Sequence, residues 1–141
     1  MARITRFTGL KQVLLRMKRE QSMQGVNVER GLKKAGLFLL AKSMKEVPVE
    51  HGVLKASGFV RHKGSGFSTK VYVGYTAAYA IYVHENMDAT HGEAFNMKHS
   101  ADIAAGRVKA RGPGQKSKFL EDPAKNPANK AKMKAFIQAG V

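Results

Sequence analysis

The segment at residues 27–46 constrains the fold most, because apolar side chains occupy most of the circumference of the helix that it predicts. Asn27 is a favourable N-cap, and Val47 precedes Pro48, which disfavours helical geometry at the residue before it. We therefore expect a long central helix that ends near Glu46 and is buried on more than one side. Its apolar residues are Val28, Leu32, Ala35, Leu37, Phe38, Leu39, Leu40, Ala41 and Met44.

A second helix is predicted within the basic N-terminal segment, residues 1–25. Gly25 is expected to end this helix, since glycine is common just past helix C-termini. Basic side chains are expected on the side opposite an apolar stripe. That stripe has helical spacing and consists of Leu10, Val13, Leu14 and Met17.

The periodicity changes after Pro48. Residues 53–62 and 69–75 predict two strands, and the glycine-rich residues 63–66 predict the hairpin connection between them. Residues 77–85 favour a short helix, although their aromatic and β-branched content also tolerates a strand. We expect an antiparallel sheet of three or four strands.

The C-terminal segment predicts one more helix. Asn126 as N-cap and Pro127 at the first helical position form a favourable start, and Gly140 is expected to end the helix. The fold class is therefore α+β: a small antiparallel β-sheet packed against a long central helix, with flanking N- and C-terminal helices. We expect a single domain over residues 1–141, with an extended loop at residues 86–118 that takes part in assembly.

The charge indicates the class of partner. The chain has 25 Lys and Arg against 10 Asp and Glu, a formal net charge of +15, spread along the sequence. Such a surface suits polyanions or acidic protein surfaces. The chain has no cysteine, which excludes disulfides and thiol catalysis. We expect no secretory signal and no contact with a membrane, because no long apolar segment is present.

The sequence contains no recognised catalytic or metal-binding motif. Histidine and carboxylate side chains at His84, Glu85, His91, Glu93 and His99 are ligand types that zinc accepts, but their spacing differs from the helical zinc motif. No serine lies in a nucleophile elbow, and residues 111–116 lack the spacing of a phosphate-binding loop. We expect a protein that is not an enzyme and has no cofactor, metal ion or catalytic residue.

Three short motifs occur in order along the chain. Residues 47–57 read VPVEHGVLKAS, residues 78–85 read AYAIYVHE, and residues 118–124 read KFLEDPA. Together they resemble the tail-component or minor-capsid family of long-tailed double-stranded DNA bacteriophages, whose members act at the head–tail connection as neck or tail-completion proteins. His51 and Asn86-Met87 depart from the family pattern, and residues 87–117 are longer than in compact members.

The resemblance implies a structural virion protein. Such a protein would form a homo-oligomeric ring, which we expect to be a hexamer, around the DNA channel at the head–tail junction. Its expected partners are the neighbouring connector or stopper and tail proteins, with non-specific contact to genomic DNA. It would reside in the host cytoplasm during assembly and then in the virion.

The three motifs supply the candidate structural and interface residues. We expect Pro48 to end the helix, Gly52 to adopt a positive φ or allow close approach, and Leu54 to anchor the first strand. The complete set is Pro48, Gly52, Leu54, Tyr79, Tyr82, His84, Glu85, Phe119, Leu120 and Pro123. Two alternatives stay open: a basic, non-specific nucleic-acid-binding module, and a minor capsid protein elsewhere in the particle.

Overall fold

A computed structural model describes residues 9–48, 52–86, 96–98, 100–107 and 115–140. Its first element is a single helix, α1, which spans Leu10–Glu46 and 37 residues. At 1.5 Å per residue this helix is about 55 Å long. It ends at Glu46 as expected, with Val47 in an extended conformation directly before Pro48.

The predictions that Gly25 ends an N-terminal helix and that Asn27 caps the start of a second one are wrong, because α1 runs through both positions without a break. Gly25 is buried, and a Cβ atom there would lie 3.2 Å from the Cα of Gly66 at the tip of the β-hairpin. The glycine is therefore explained by the close approach of two backbones and not by helix termination.

The sheet has two strands in the described part of the chain, where three or four were expected. Strand β1 spans Gly58–Lys63 and pairs antiparallel with β2, Lys70–Tyr75. The pairing places Gly58 opposite Tyr75 and Lys63 opposite Lys70, and a 3₁₀ turn at Gly66–Ser68 lies in the connection.

The first strand also begins later than predicted. Gly52 has a φ of +78°, and the chain then forms one helical turn, α2, at Val53–Ala56. Leu54 is buried and belongs to this turn, so it anchors a helix and not a strand. The Ser57 hydroxyl donates a hydrogen bond to the Leu54 carbonyl (2.7 Å), which stabilises the turn before β1 starts.

The sheet packs on the C-terminal half of α1. A Cβ atom on Gly36 would lie 2.7 Å from the Val71 side chain and 3.1 Å from that of Val60. The glycine therefore lets the helix and the sheet approach closely. Nearby, the hydroxyl groups of Ser43 and Tyr75 share a hydrogen bond of 2.7 Å, and burial raises the pKa of the Tyr75 phenol.

Helical segments follow the sheet. The last of them starts as expected, with the Asn126 side chain accepting a hydrogen bond from the Ala128 N–H (2.9 Å), and it ends at Gly140 with a φ of +63°. It packs along α1, where the rings of Phe38 and Phe136 meet edge to face at 5.6 Å. These helices are α3 at Ala80–Glu85, α4 at Ser100–Ala104, α5 at Glu121–Lys125 and α6 at Pro127–Ala139.

The predicted fold class is confirmed, since a small antiparallel sheet packs against a long helix and further helices follow at the C-terminal side. The short helix expected within residues 77–85 is present as α3. Much of the predicted assembly loop, residues 86–118, lies outside the described residues, so its role stays a prediction. The expectation of a single domain likewise stays a prediction.

Candidate functional site

The three sequence motifs meet in one place. Val47 and Leu54 of the first motif and Phe119 of the third form a buried apolar cluster, and Ala80 and Val83 of the second motif pack against it. We call this group the Phe119 cluster. It lies at the C-terminal end of α1, where α3 packs and where the third motif follows the long segment after the second motif.

Phe119 is the centre of this cluster, with 1% of its surface exposed. Its ring contacts the rings of Tyr75 and His84 edge to face, at centroid distances of 5.2 Å and 5.0 Å. Edge-to-face aromatic pairs add about 0.5–1.5 kcal/mol to the effect of burial alone. The ring therefore joins the sheet and α3 to the returning chain.

Lys118 connects the segment of the third motif to α3. Its backbone has a φ of +55°, and its N–H donates a hydrogen bond of 2.9 Å to the carbonyl of His84. Its ammonium group bonds the Glu85 carboxylate and lies 3.4 Å from that of Glu121. The ion pair with Glu85 raises the pKa of Lys118, and hydrogen bonds from Lys118 and His84 lower the pKa of Glu85.

A second lysine fastens the same chain to α1. The N–H of Lys116 donates to the Glu46 carbonyl (3.0 Å), while its ammonium group lies 2.8 Å from Asp122 and 3.3 Å from the Glu46 carboxylate. The hydrogen bond to Asp122 raises the pKa of Lys116. The returning segment is thus held at two successive points.

The structure separates the candidate residues into two groups. Seven are buried or half-buried: Pro48, Gly52, Leu54, His84, Phe119, Leu120 and Pro123. Of these, Leu54, His84, Phe119 and Leu120 belong to the Phe119 cluster or contact it. Tyr79, Tyr82 and Glu85 are exposed. Only the second group is accessible to a partner at this site.

The exposed group forms one side of α3. Tyr82 is 76% exposed, and its neighbour Ile81 is 66% exposed. Tyr79, Ile81 and Tyr82 are here called the outer face of α3. Ile81 is not among the candidate residues predicted from the sequence. Its exposure follows from the helix, because Val83 and His84 are half-buried and helical spacing then places Ile81 and Tyr82 on the opposite, exposed side.

A second accessible surface is the N-terminal end of α1. Every residue from 10 to 24 is exposed, so the predicted apolar stripe has no partner within the described residues. We call residues 10–24 the basic arm. The stripe was predicted, but its exposure could not be read from the sequence alone. The arm's charged residues are Lys11, Arg16, Lys18, Arg19 and Glu20.

The histidine-rich stretch is only partly described. The Nδ1 atom of His84 lies 2.8 Å from the Glu85 carboxylate, while His91, Glu93 and His99 lie outside the described residues. Within the described ranges, no three His, Asp or Glu side chains are grouped closely enough to hold a metal ion. Among the helices that the structure describes, none has the length and apolar character required to cross a membrane.

Comparison of the chain with protein-family models, with curated proteins and with solved structures finds no match.

Proposed function

We propose that this chain is a structural protein of a tailed bacteriophage that forms a ring at the head–tail junction. The observation that carries the proposal is spatial. The three motifs that resemble the tail-component family lie far apart in the sequence, yet Leu54 of the first and Phe119 of the third are buried in a single cluster, and Val83 of the second packs against it. A shared cluster gives the three motifs one structural role and supports reading them as a unit.

The exposed apolar surfaces support assembly. Four stripe residues of the basic arm and the outer face of α3 expose large apolar side chains to solvent. Monomeric soluble proteins rarely expose large contiguous apolar patches, and such patches mark interaction sites where they occur. These two surfaces differ from each other, and a closed ring requires two different patches on each subunit.

The charge fits a place beside DNA. Phosphates attract a ring with a net charge of +15 per subunit without any recognition element. We expect such contact to be non-specific and to weaken steeply with added salt. The ring would touch connector or stopper proteins on one side and tail proteins on the other.

One observation favours a different function. Arg61, Lys63 and Lys70 are exposed on the hairpin, and four basic residues are exposed on the arm, so two basic surfaces could contact a nucleic acid without any ring. This would make the chain a basic nucleic-acid-binding module. That function does not explain why the outer face of α3 exposes large apolar side chains.

Sizing by light scattering, combined with electron microscopy of the same fractions, tests the proposal with and without duplex DNA. The ring predicts closed particles of uniform subunit number without DNA. Monomers that associate only on DNA, with a particle size set by DNA length, would favour the nucleic-acid-binding module and contradict the ring.

A further inference from the structure

The two exposed apolar surfaces differ in their charged neighbours. The basic arm has four basic residues and one acid, a net charge of +3. The outer face of α3 borders the Glu85 carboxylate, which forms an ion pair with Lys118. Glu85 is more than half exposed and lines the same shallow depression as Ile81 and Tyr82.

We propose that the apolar stripe of the basic arm docks on the outer face of α3 of a second copy of this chain. The contact buries apolar side chains from both subunits and places the arm's basic residues beside the exposed carboxylate of Glu85. It rests on the proposed function in one respect, because the second copy is the neighbour in the ring.

The distance along α1 excludes docking within one chain. The arm ends at Gln24, while α3 packs at the other end of the helix, beside Val47. The 23 residue-to-residue steps from Gln24 to Val47 correspond to about 35 Å of straight helix. The arm therefore reaches the α3 of another copy and not its own.

Charge disfavours the pairing of two arms. Each arm carries a net charge of +3, so two stripes facing each other bring like charges together. The α3 surface instead offers the Glu85 carboxylate beside Ile81 and Tyr82. Arm-to-α3 contacts are also head-to-tail, because each subunit gives one surface and receives on the other, and this is the geometry that a ring needs.

Two variants test the contact on the full chain. Leu14→Glu alters the stripe of the arm, and Tyr82→Lys places a positive charge on the outer face of α3. Both positions are exposed, so the variants retain the fold, which thermal unfolding verifies. Leu37→Glu is the matched control, since Leu37 is 59% exposed on α1 but lies outside both surfaces.

Sedimentation velocity measures the self-association of each variant at a concentration at which the wild-type chain assembles. Each variant alone is expected to weaken self-association about tenfold or more, while Leu37→Glu assembles like the wild type. An equimolar mixture of the two variants is expected to form dimers, because one intact arm and one intact α3 remain in each pair.

Other outcomes overturn the inference. Assembly that is lost in Leu14→Glu but retained in Tyr82→Lys would show that arms pair with arms. Assembly retained in both variants would leave the ring standing without this contact, whereas a wild-type chain that stays monomeric would remove the ring as well. Binding of the monomer to anionic phosphatidylserine vesicles, lost in Leu14→Glu, would assign the arm to a lipid surface.

Discussion

The imidazole ring of His84 packs edge to face on the phenyl ring of Phe119, with the ring centroids 5.0 Å apart. Directly beside this contact, the Lys118 N–H donates to the His84 carbonyl at 2.9 Å. These two contacts join the point where the chain leaves α3 to the point where it returns. The predicted assembly loop is therefore anchored at both ends by one site, and that site belongs to the folded body.

Truncation of the buried ring tests its role in the fold. We expect Phe119→Ala to lower the free energy of unfolding by about 3–5 kcal/mol, because the site loses apolar burial and keeps a cavity. Urea denaturation measures the change. Phe67→Ala is the control, since Phe67 is 58% exposed, and it should cost no more than about 1 kcal/mol. Unchanged unfolding with lost assembly would instead place Phe119 at an interface.

Replacement of the loop tests whether it serves assembly. We expect a variant in which a Gly-Ser linker of about six residues replaces residues 87–114 to keep its fold, since its ends stay close. The contacts of Lys116 and Lys118 with Glu46 and His84 hold those ends in place. The variant should have a nearly unchanged thermal midpoint but fail to form rings. Rings of normal size from the shortened chain would exclude an assembly role for the loop.

The Lys118 contacts predict a dependence on acid pH. The folded-state pKa of Glu85 and of Glu121 is lowered by lysine partners, so their contribution to stability is complete above the unfolded-state value of about 4.3. It is lost as the pH falls through the lower folded-state pKa values. Thermal midpoints measured between pH 6 and pH 3 should therefore fall less in Glu85→Gln than in the wild type.

Lys118→Met should reduce the same acid dependence, because this lysine contacts both carboxylates. Lys130→Met, on α6, is the matched control and should follow the wild type. Identical curves for all four proteins would show that the Lys118 contacts contribute nothing to the stability of the fold.

Gly31 tests the packing of α6 on α1. A Cβ atom there would lie 2.5 Å from the Phe136 carbonyl oxygen and 2.6 Å from the Ile137 Cα, both backbone atoms that cannot rotate away. Gly31→Ala should therefore destabilise the protein by about 1–3 kcal/mol. At a helix position with free space, the same replacement of glycine by alanine would stabilise the helix. Ser22→Ala, on the exposed arm, should change stability by no more than about 0.5 kcal/mol. A stabilised Gly31→Ala variant would contradict this packing.

The sequence predicts helix ends well where local chemistry determines them. Pro48 ends α1 by excluding helical geometry before it, and Asn126 with Pro127 starts α6 by capping its first turn. Both effects operate within a few residues. In β2, Val71 and Val73 are half-buried toward the helix and alternate with the exposed Lys70 and Tyr72, which is the alternation of an amphipathic strand.

Long-range contacts explain the features that the sequence did not predict. A glycine that allows close backbone approach looks the same in a sequence as one that ends a helix, and Gly25 is the former because the hairpin tip at Gly66 contacts it. The sequence predicts a strand at Leu54, because nothing local indicates that this residue packs against Phe119. Exposure of the basic arm likewise depends on where the rest of the chain packs.

The position of the chain in a phage particle is the most direct test of the central claim. Gold-labelled antibody against the full chain, applied to tailed particles from the source of the sequence, should mark the head–tail junction at one site per particle. Label spread over the head would favour a minor capsid protein, and particles without label would contradict a structural role in the virion.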